Sequence, residues 1–287
     1  SGIIIGTTAS DTITLTGSFL NVDLTGLTNT LSNTLRSIYG NLTVPGSGGT
    51  LSAGATVTTF AATSGTKTIT TNGRTIDFAI TFNGAGGTWQ LQDNLTIGST
   101  RTLTHTAGTL DINSLVLSTG IFISTGALTR SIAFGTGRID LTNSGATILD
   151  LNAATNITST GVTYFNSTYA GATGTRTFNF TGLTEAQVTA LGLSVATSGS
   201  SGIIIGTTAT DIVALTGSFF DINITGLTNT ISNTARTIYG GLTVPAVGGT
   251  LTAGTAVTTF ASTSGTDTIT TNGRTLDFPI TFNGCLL

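Results

Sequence analysis

TIDFAITF, residues 75–82, alternates polar and apolar side chains at period two. On a strand, that period turns Ile76, Phe78, Ile80 and Phe82 to one face and the residues between them to the other. The same short alternation returns in TITLT (12–16), TWQLQ (88–92), RTLTHT (101–106), TLDINSLVL (109–117), RSIAF (130–134) and RIDLT (138–142). Clusters of Gly, Asn, Ser and Thr punctuate these segments, as turns do between half-buried strands. Thr and Ile dominate, and β-branched side chains suit a pleated surface.

The opening stretch has a near-copy, TLDFPITF, at 275–282, and the likeness extends outward. SGIIIGTT begins at Ser1 and returns letter for letter at Ser201. Residues 1–84 and 201–284 align without a gap, and about three quarters of their positions are identical. Apolar positions trade among themselves, as in Leu31/Ile231, Val22/Ile222 and Ile76/Leu276. Lys67 becomes Asp267, the mark of a solvated site, whereas Asp11/Asp211, Arg36/Arg236, Arg74/Arg274 and Asp77/Asp277 are kept. The chain therefore divides into one full module, 1–200, and a partial second copy, 201–287. After Gly284 the copy diverges, and CLL stands where AGG stood.

A weaker sub-repeat places Arg before Ser or Thr and a short strand, at Arg36, Arg74, Arg101, Arg130 and Arg176. Its gaps fit one or two coils of a solenoid whose coil takes roughly 20 to 30 residues. The simplest reading of these arginines is a solvated corner; the sharper one is an Arg stack that binds an anionic glycan or a neighbouring subunit. One segment reads as helix: TEAQVTALG (184–192) has Thr184 and Gln187 in a capping-box spacing and ends at Gly192.

These features predict an all-β chain, a parallel β-solenoid of about a dozen coils and on the order of 55 Å long. Tandem β-sandwiches are the alternative, since turn signals such as TNGRT (71–75) also permit hairpins. Charged residues make up 7% of the 287, against roughly 25% in a typical globular protein. Steady Ile, Leu, Val and Phe argue against disorder. A net charge of −3 gives no basic footprint for nucleic acid. The apolar runs fall far short of the roughly 20 residues of a spanning helix, so no membrane insertion is expected. No leader or initiator Met opens the sequence, which suggests a processed or partial chain. Cys285 is the single cysteine, so no internal disulfide is available.

TITTNGRTIDFAITFNGAGGTWQLQDNLTIGSTRTLTHTAGTLDINSL (68–115), TRSIAFGTGRIDLT (129–142) and GATGTRTFNF (171–180) together resemble the Thr/Gly-rich β-helical repeat proteins of environmental phage and bacteria. The resemblance covers most of the chain. It implies an adhesin-like or fibre-like structural protein, extracellular or on a virion surface. It carries no active site, so no functional residue transfers.

Glycan-cleaving β-helices need paired carboxylates within reach of one bond. Asp77, Asp111, Asp140 and Asp150 are the candidates, each between apolar neighbours that turn it outward on a strand. Single outward aspartates more simply keep a sheet surface solvated. His105 has no second His, Cys or Glu nearby to build a metal site or triad. Trp89 reads as a core or corner aromatic before a sugar platform. GSGG (46–49) and GAGG (84–87) lack the Lys–Ser/Thr of a phosphate loop and read as turns. Thr ladders suggest an ice-binding face, but TIT (12–14) becomes IVA in the copy. Asn-x-Ser/Thr triplets at Asn41, Asn94, Asn156, Asn166, Asn179 and Asn223 read as corner asparagines where the source does not glycosylate.

No residue is therefore assigned a catalytic, cofactor-binding or metal-ligating role, and no cofactor is expected. The expectation is a non-enzymatic fibre protein built by stacking modules, its partner a further copy of itself. An adhesin or tail-fibre shaft that presents a tip to cell-surface glycans is the alternative, ahead of an enzyme or an ice-binding protein.

Overall fold

The structure, a computed structural model, describes residues 11–168, 174–206 and 211–284. The first SGIIIGTT, part of GATGTRTFNF and the Cys285 terminus lie outside the described residues.

The chain is a parallel β-solenoid of about twelve turns, almost without helix. Tandem sandwiches would need antiparallel ladders, and every strand pairing among the described residues is parallel. Within the first module a residue stacks on one from 18 (Thr12 and Thr30) to 30 (Thr147 and Thr177) positions later. One ladder runs from end to end through Gly17–Phe19, Arg36–Ile38, Gly54–Phe60, Phe78–Leu91, Thr102–Asp111, Ile121–Ile123, Ala146–Asp150, Thr175–Phe180, Ile212–Phe219, Arg236–Ile238, Thr258–Phe260 and Ile280–Phe282. Those twelve strands mark the twelve turns.

Period-two alternation does here what it dictates. Phe19, Ile38, Phe60, Phe82 and His105 lie one above another on the inward side. Phe60 and Phe82 stack with ring centroids 5.1 Å apart, and Trp89 packs on Phe60 at 4.7 Å. Each buried ring contributes about 1.5–3 kcal/mol of transfer free energy. The outward column next to it reads Ser18, Ser37, Thr59, Thr81, Thr104, Ile123, Asp150. Its run of threonine spans three turns before Ile123 interrupts it.

Asparagines hold the corners between turns. The Asn21 side chain accepts from the Asn41 amide, Asn41 from the Thr68 amide, and Asn94 from the Val116 amide. Each satisfies a backbone N–H that the ladder leaves open at a bend. One of the two turn readings differs from the structure. GSGG is a bend, but GAGG lies inside the strand Phe78–Leu91, as an irregularity in its pairing with Thr102–Asp111. A Cβ on Gly84 or Gly87 would overlap the Ala62 carbonyl one turn below, so the glycines serve close approach rather than reversal.

The helix spans Glu185–Ala190, with Thr184 as N-cap and a reciprocal capping box with Gln187. Gln187 Nε2 donates to the carbonyls of Ala154 (3.2 Å) and Thr155 (3.1 Å), which seats the helix on the turn beneath.

Candidate functional site: the module junction and the open faces

The second copy is seated directly on the first. Six residues, 175–180, pair in parallel register with 212–217. Phe180 meets Phe219 edge-on at 5.2 Å. Asp211, 1% exposed, accepts from Arg176 Nε at 2.6 Å and from Asn229 Nδ2 at 2.8 Å. Ser218 Oγ donates to the Leu183 carbonyl at 2.6 Å. The Glu185 carboxylate reaches across the junction and accepts from Thr263 Oγ1 at 2.6 Å. Glu185 is the chain's single glutamate.

The strand order at this point departs from a simple coil. Gly202–Ile204 lies above Tyr164–Ser167, yet Val195–Ala196, earlier in sequence, lies above Gly202–Ile204 and below Ile222–Asn223. The first strand of the new module is thus inserted between two strands of the old one. Separating the modules requires withdrawing it from two ladders. The same sheet continues through Leu242–Thr243 and Ile269–Thr270. In the first copy the counterparts Leu42–Thr43 and Thr66–Thr70 belong to the ladder that leads to Phe78–Leu91 instead. Equivalent strands thus change sheet on one face, while Arg36–Ile38 and Arg236–Ile238 stay in the same end-to-end ladder.

The duplication also supplies an internal comparison, since identical residues occur with and without a turn stacked on them. Phe82 is 0% exposed beneath Thr102–Asp111, whereas its counterpart Phe282 is 72% exposed. Ile80 is buried in the same way, and Ile280 is partly exposed. At the other end, Asp211, Ser218 and Phe219 are buried, whereas Asp11 and Ser18 are exposed and Phe19 is half-buried. Leu20 adds an apolar side chain that is 70% exposed. An apolar hollow lined by Ile222, Ile231, Ile238, Leu242 and Phe278 lies in the second copy. Both ends of the described stack are thus cut hydrophobic cores edged with strand backbone.

The conserved-looking arginines are not solvated corners. Arg36, Arg130, Arg176 and Arg236 are buried. Arg130 Nε donates to Ser124 Oγ at 2.7 Å, Nη1 to the Leu128 carbonyl at 2.6 Å, and Nη2 to the carbonyls of Gly126 and Ser124 at 2.9 and 3.1 Å. Arg36 and Arg236 clamp the carbonyls of Ser32 and Thr34, and of Ser232 and Thr234. Burial pulls the Arg236 guanidinium down to about 10. A planar five-donor fork can tie a wide bend to the strand that follows it, which an apolar side chain cannot. Arg74 and Arg274 use the same device on Gly48 and Gly49, and on Gly248 and Gly249. Arg101 alone pairs with a partly exposed carboxylate, Asp77, at 2.8 Å.

The candidate aspartates do not converge. Asp111 stacks between Gln90 and Ala133, Asp140 between Ser118 and Asn166, and Asp150 between Ile123 and Asn179. Their neighbours are amides, hydroxyls or apolar groups rather than a second carboxylate. Asp140 lies on the outward face, between core residues Ile139 and Leu141, but it is covered: it is 7% exposed and accepts from Arg138 Nε at 2.8 Å and from Asn166 Nδ2 at 3.1 Å. No cluster of three metal-ligating side chains occurs among the described residues. Trp89 is fully buried, so it is a core aromatic and offers no face to a sugar. No helix among the described residues is long and apolar enough to cross a membrane.

His105 is an interior histidine. Its Nε2 lies 3.0 Å from the Gly108 carbonyl and its Nδ1 is buried without a partner. Burial, helped by the nearby Arg130 charge, holds its pKa down at about 4. A histidine with a lowered folded pKa takes up its proton first in the unfolded chain. Its contribution is therefore complete above about pH 6.5 and is lost as pH falls towards 4, a difference on the order of 3 kcal/mol. Urea titrations at stepwise pH should show that loss. His105→Phe, which continues the Phe60–Phe82 column, should flatten the curve over that window.

Set against known proteins, the chain matches no family model, no curated protein and no solved structure.

Proposed function

We propose that this chain is a structural, non-enzymatic protein of an extracellular or virion-associated fibre, built by stacking β-solenoid modules. The observation that supports this reading is the junction. One module sits on the next through an unbroken parallel ladder, and among the described residues no capping element interrupts it. A stack that needs no cap internally can be extended by the same contacts, because backbone pairing and apolar columns repeat at every turn. The composition agrees: one Lys and one Cys leave few sites for crosslinking or trimming, and Thr and Asn provide the solvated surface. The partner of the chain is a further copy of the module.

Electron microscopy of the protein as isolated, without refolding, tests this. The expected result is uniform filaments with a layer spacing of about 4.8 Å along the axis. Separate short rods fixed to particles or cells would replace the filament with a shaft that carries a tip. Monodisperse monomers at high concentration would overturn stacking between chains.

A further inference from the structure

We propose that the face formed by residues 11–20, together with Thr63, is the receiving half of a second module junction. Its occupant is the closing turn of another module of this repeat, with the sequence of 174–206. This deepens the stacking reading above and rests on it.

The first support is that the whole receiving set exists twice. In the second copy, four side chains receive the closing turn. Asp211 accepts from Arg176, Ser218 donates to Leu183, Phe219 packs on Phe180, and Thr263 donates to Glu185. The first copy carries Asp11, Ser18, Phe19 and Thr63 at the matching positions, all four unchanged. Neighbours in the same stretch do change, at 12–14 and 20–24. In the first copy Asp11 and Ser18 are exposed and Phe19 is half-buried, whereas Asp211, Ser218 and Phe219 are buried; Thr63 and Thr263 are both exposed.

The backbone supports the same occupant. Gly217 has φ +92°, and a Cβ there would overlap the backbone of Phe180 and Thr181. Gly17 has φ +96°, and the corresponding space is empty. The first copy thus keeps both the glycine and the room that the incoming strand needs. Thr12–Ile13 and Gly17–Phe19 each pair on one side only among the described residues, with Thr30–Leu31 and Arg36–Ile38. Among the described residues, no strand pairs with their other edge. The Arg176 guanidinium sets the register: in a turn with this sequence, strand pairing as at 175–180 brings that arginine to the carboxylate of Asp11. The Glu185 helix then falls beside Thr63. A generic β-strand would fill the edge but supply neither contact.

The test uses the full chain and a synthetic peptide of residues 174–206. Hydrogen exchange and labelled-peptide titration are read together. Saturable binding with protection of the 12–19 amides is the expected result. Asp11→Arg in the chain should weaken binding at least about 30-fold, the loss expected when one partner of a desolvated pair is reversed. Arg176→Asp in the peptide should do the same to the unaltered chain, and the two reversals together should recover most of the affinity. Urea unfolding of the Asp11→Arg chain, read beside the binding, separates a lost contact from a lost fold. Double reversal no tighter than the singles would overturn the assignment. A second arm places one more copy of residues 1–200 ahead of Ser1, and expects the amides equivalent to 12–19 to become as protected as 212–219. Lack of protection in both arms overturns the proposal. Filaments without either protection would sink this interface and leave the fibre reading. Protection without filaments would do the reverse.

Discussion

Arg176→Ala is expected to destabilise the chain by about 3–5 kcal/mol, the usual cost of leaving one member of a buried ion pair behind. Both Arg176 and Asp211 have fully buried side chains, and Arg176 also donates to Ser167. The orphaned Asp211 would keep only the Asn229 amide among its side-chain donors named here. The damage should be local at first, because each turn of a solenoid contacts only its neighbours. Hydrogen exchange should therefore rise at Thr175–Phe180 and Ile212–Phe219 before it rises at Phe78–Leu91. The double substitution Arg176→Met with Asp211→Leu should recover most of the loss, since an apolar pair of similar volume leaves no charge unpaired. A double variant as unstable as the single one would show that the pair is not what holds the modules together.

Arg130→Ala should cost about 4 kcal/mol, from the cavity left by a fully buried side chain and from the acceptors it strands. Ser124 is itself buried, so its hydroxyl and carbonyl lose a partner where water does not reach them. Arg130→Lys should recover little, because an ammonium cannot span Ser124, Gly126 and Leu128 at once. A second signature separates this from generic loosening. The Arg130 charge helps to hold His105 neutral, so in the alanine variant the acid loss of stability that His105 causes should be smaller and should end at a higher pH. Equilibrium urea unfolding across pH 7 to pH 4 reads both effects. Lysine restoring full stability would contradict the clamp.

Much of this molecule was legible before any coordinates. Period-two alternation in segments such as TIDFAITF, with Gly and Asn between them, requires short half-buried strands. The verbatim restart at Ser201 requires a module. The helix at Thr184–Gln187 was equally plain, because a capping box is a local device whose partners are three residues apart. The arginines were misread for the opposite reason. RS and RT before a strand look like solvated corners, because a charge near a bend is normally hydrated. Their burial depends on carbonyls brought to the guanidinium by the wide bends before each strand, and no local pattern announces that. Trp89 could be placed in the core, and Asp140 found covered on its outward face, only once the stacking register was known. GAGG has the composition of a turn, yet it is strand because the Ala62 carbonyl sits where a side chain would be.

The junction shows where the division falls. Sequence comparison of the two copies singled out Asp11 and Asp211 as kept, and counted a single glutamate. It could not connect them to Arg176 and Thr263, which lie 35 and 78 residues from their partners. The sequence by itself determined the strands, the repeat and the inward and outward faces, because each follows from side chains within a few residues of one another. The tertiary structure alone decided the order of strands at the junction, the sheet that each equivalent strand joins and the burial of the charges. Those depend on which turn lies beneath which, and stacking joins residues one or more turns apart in sequence.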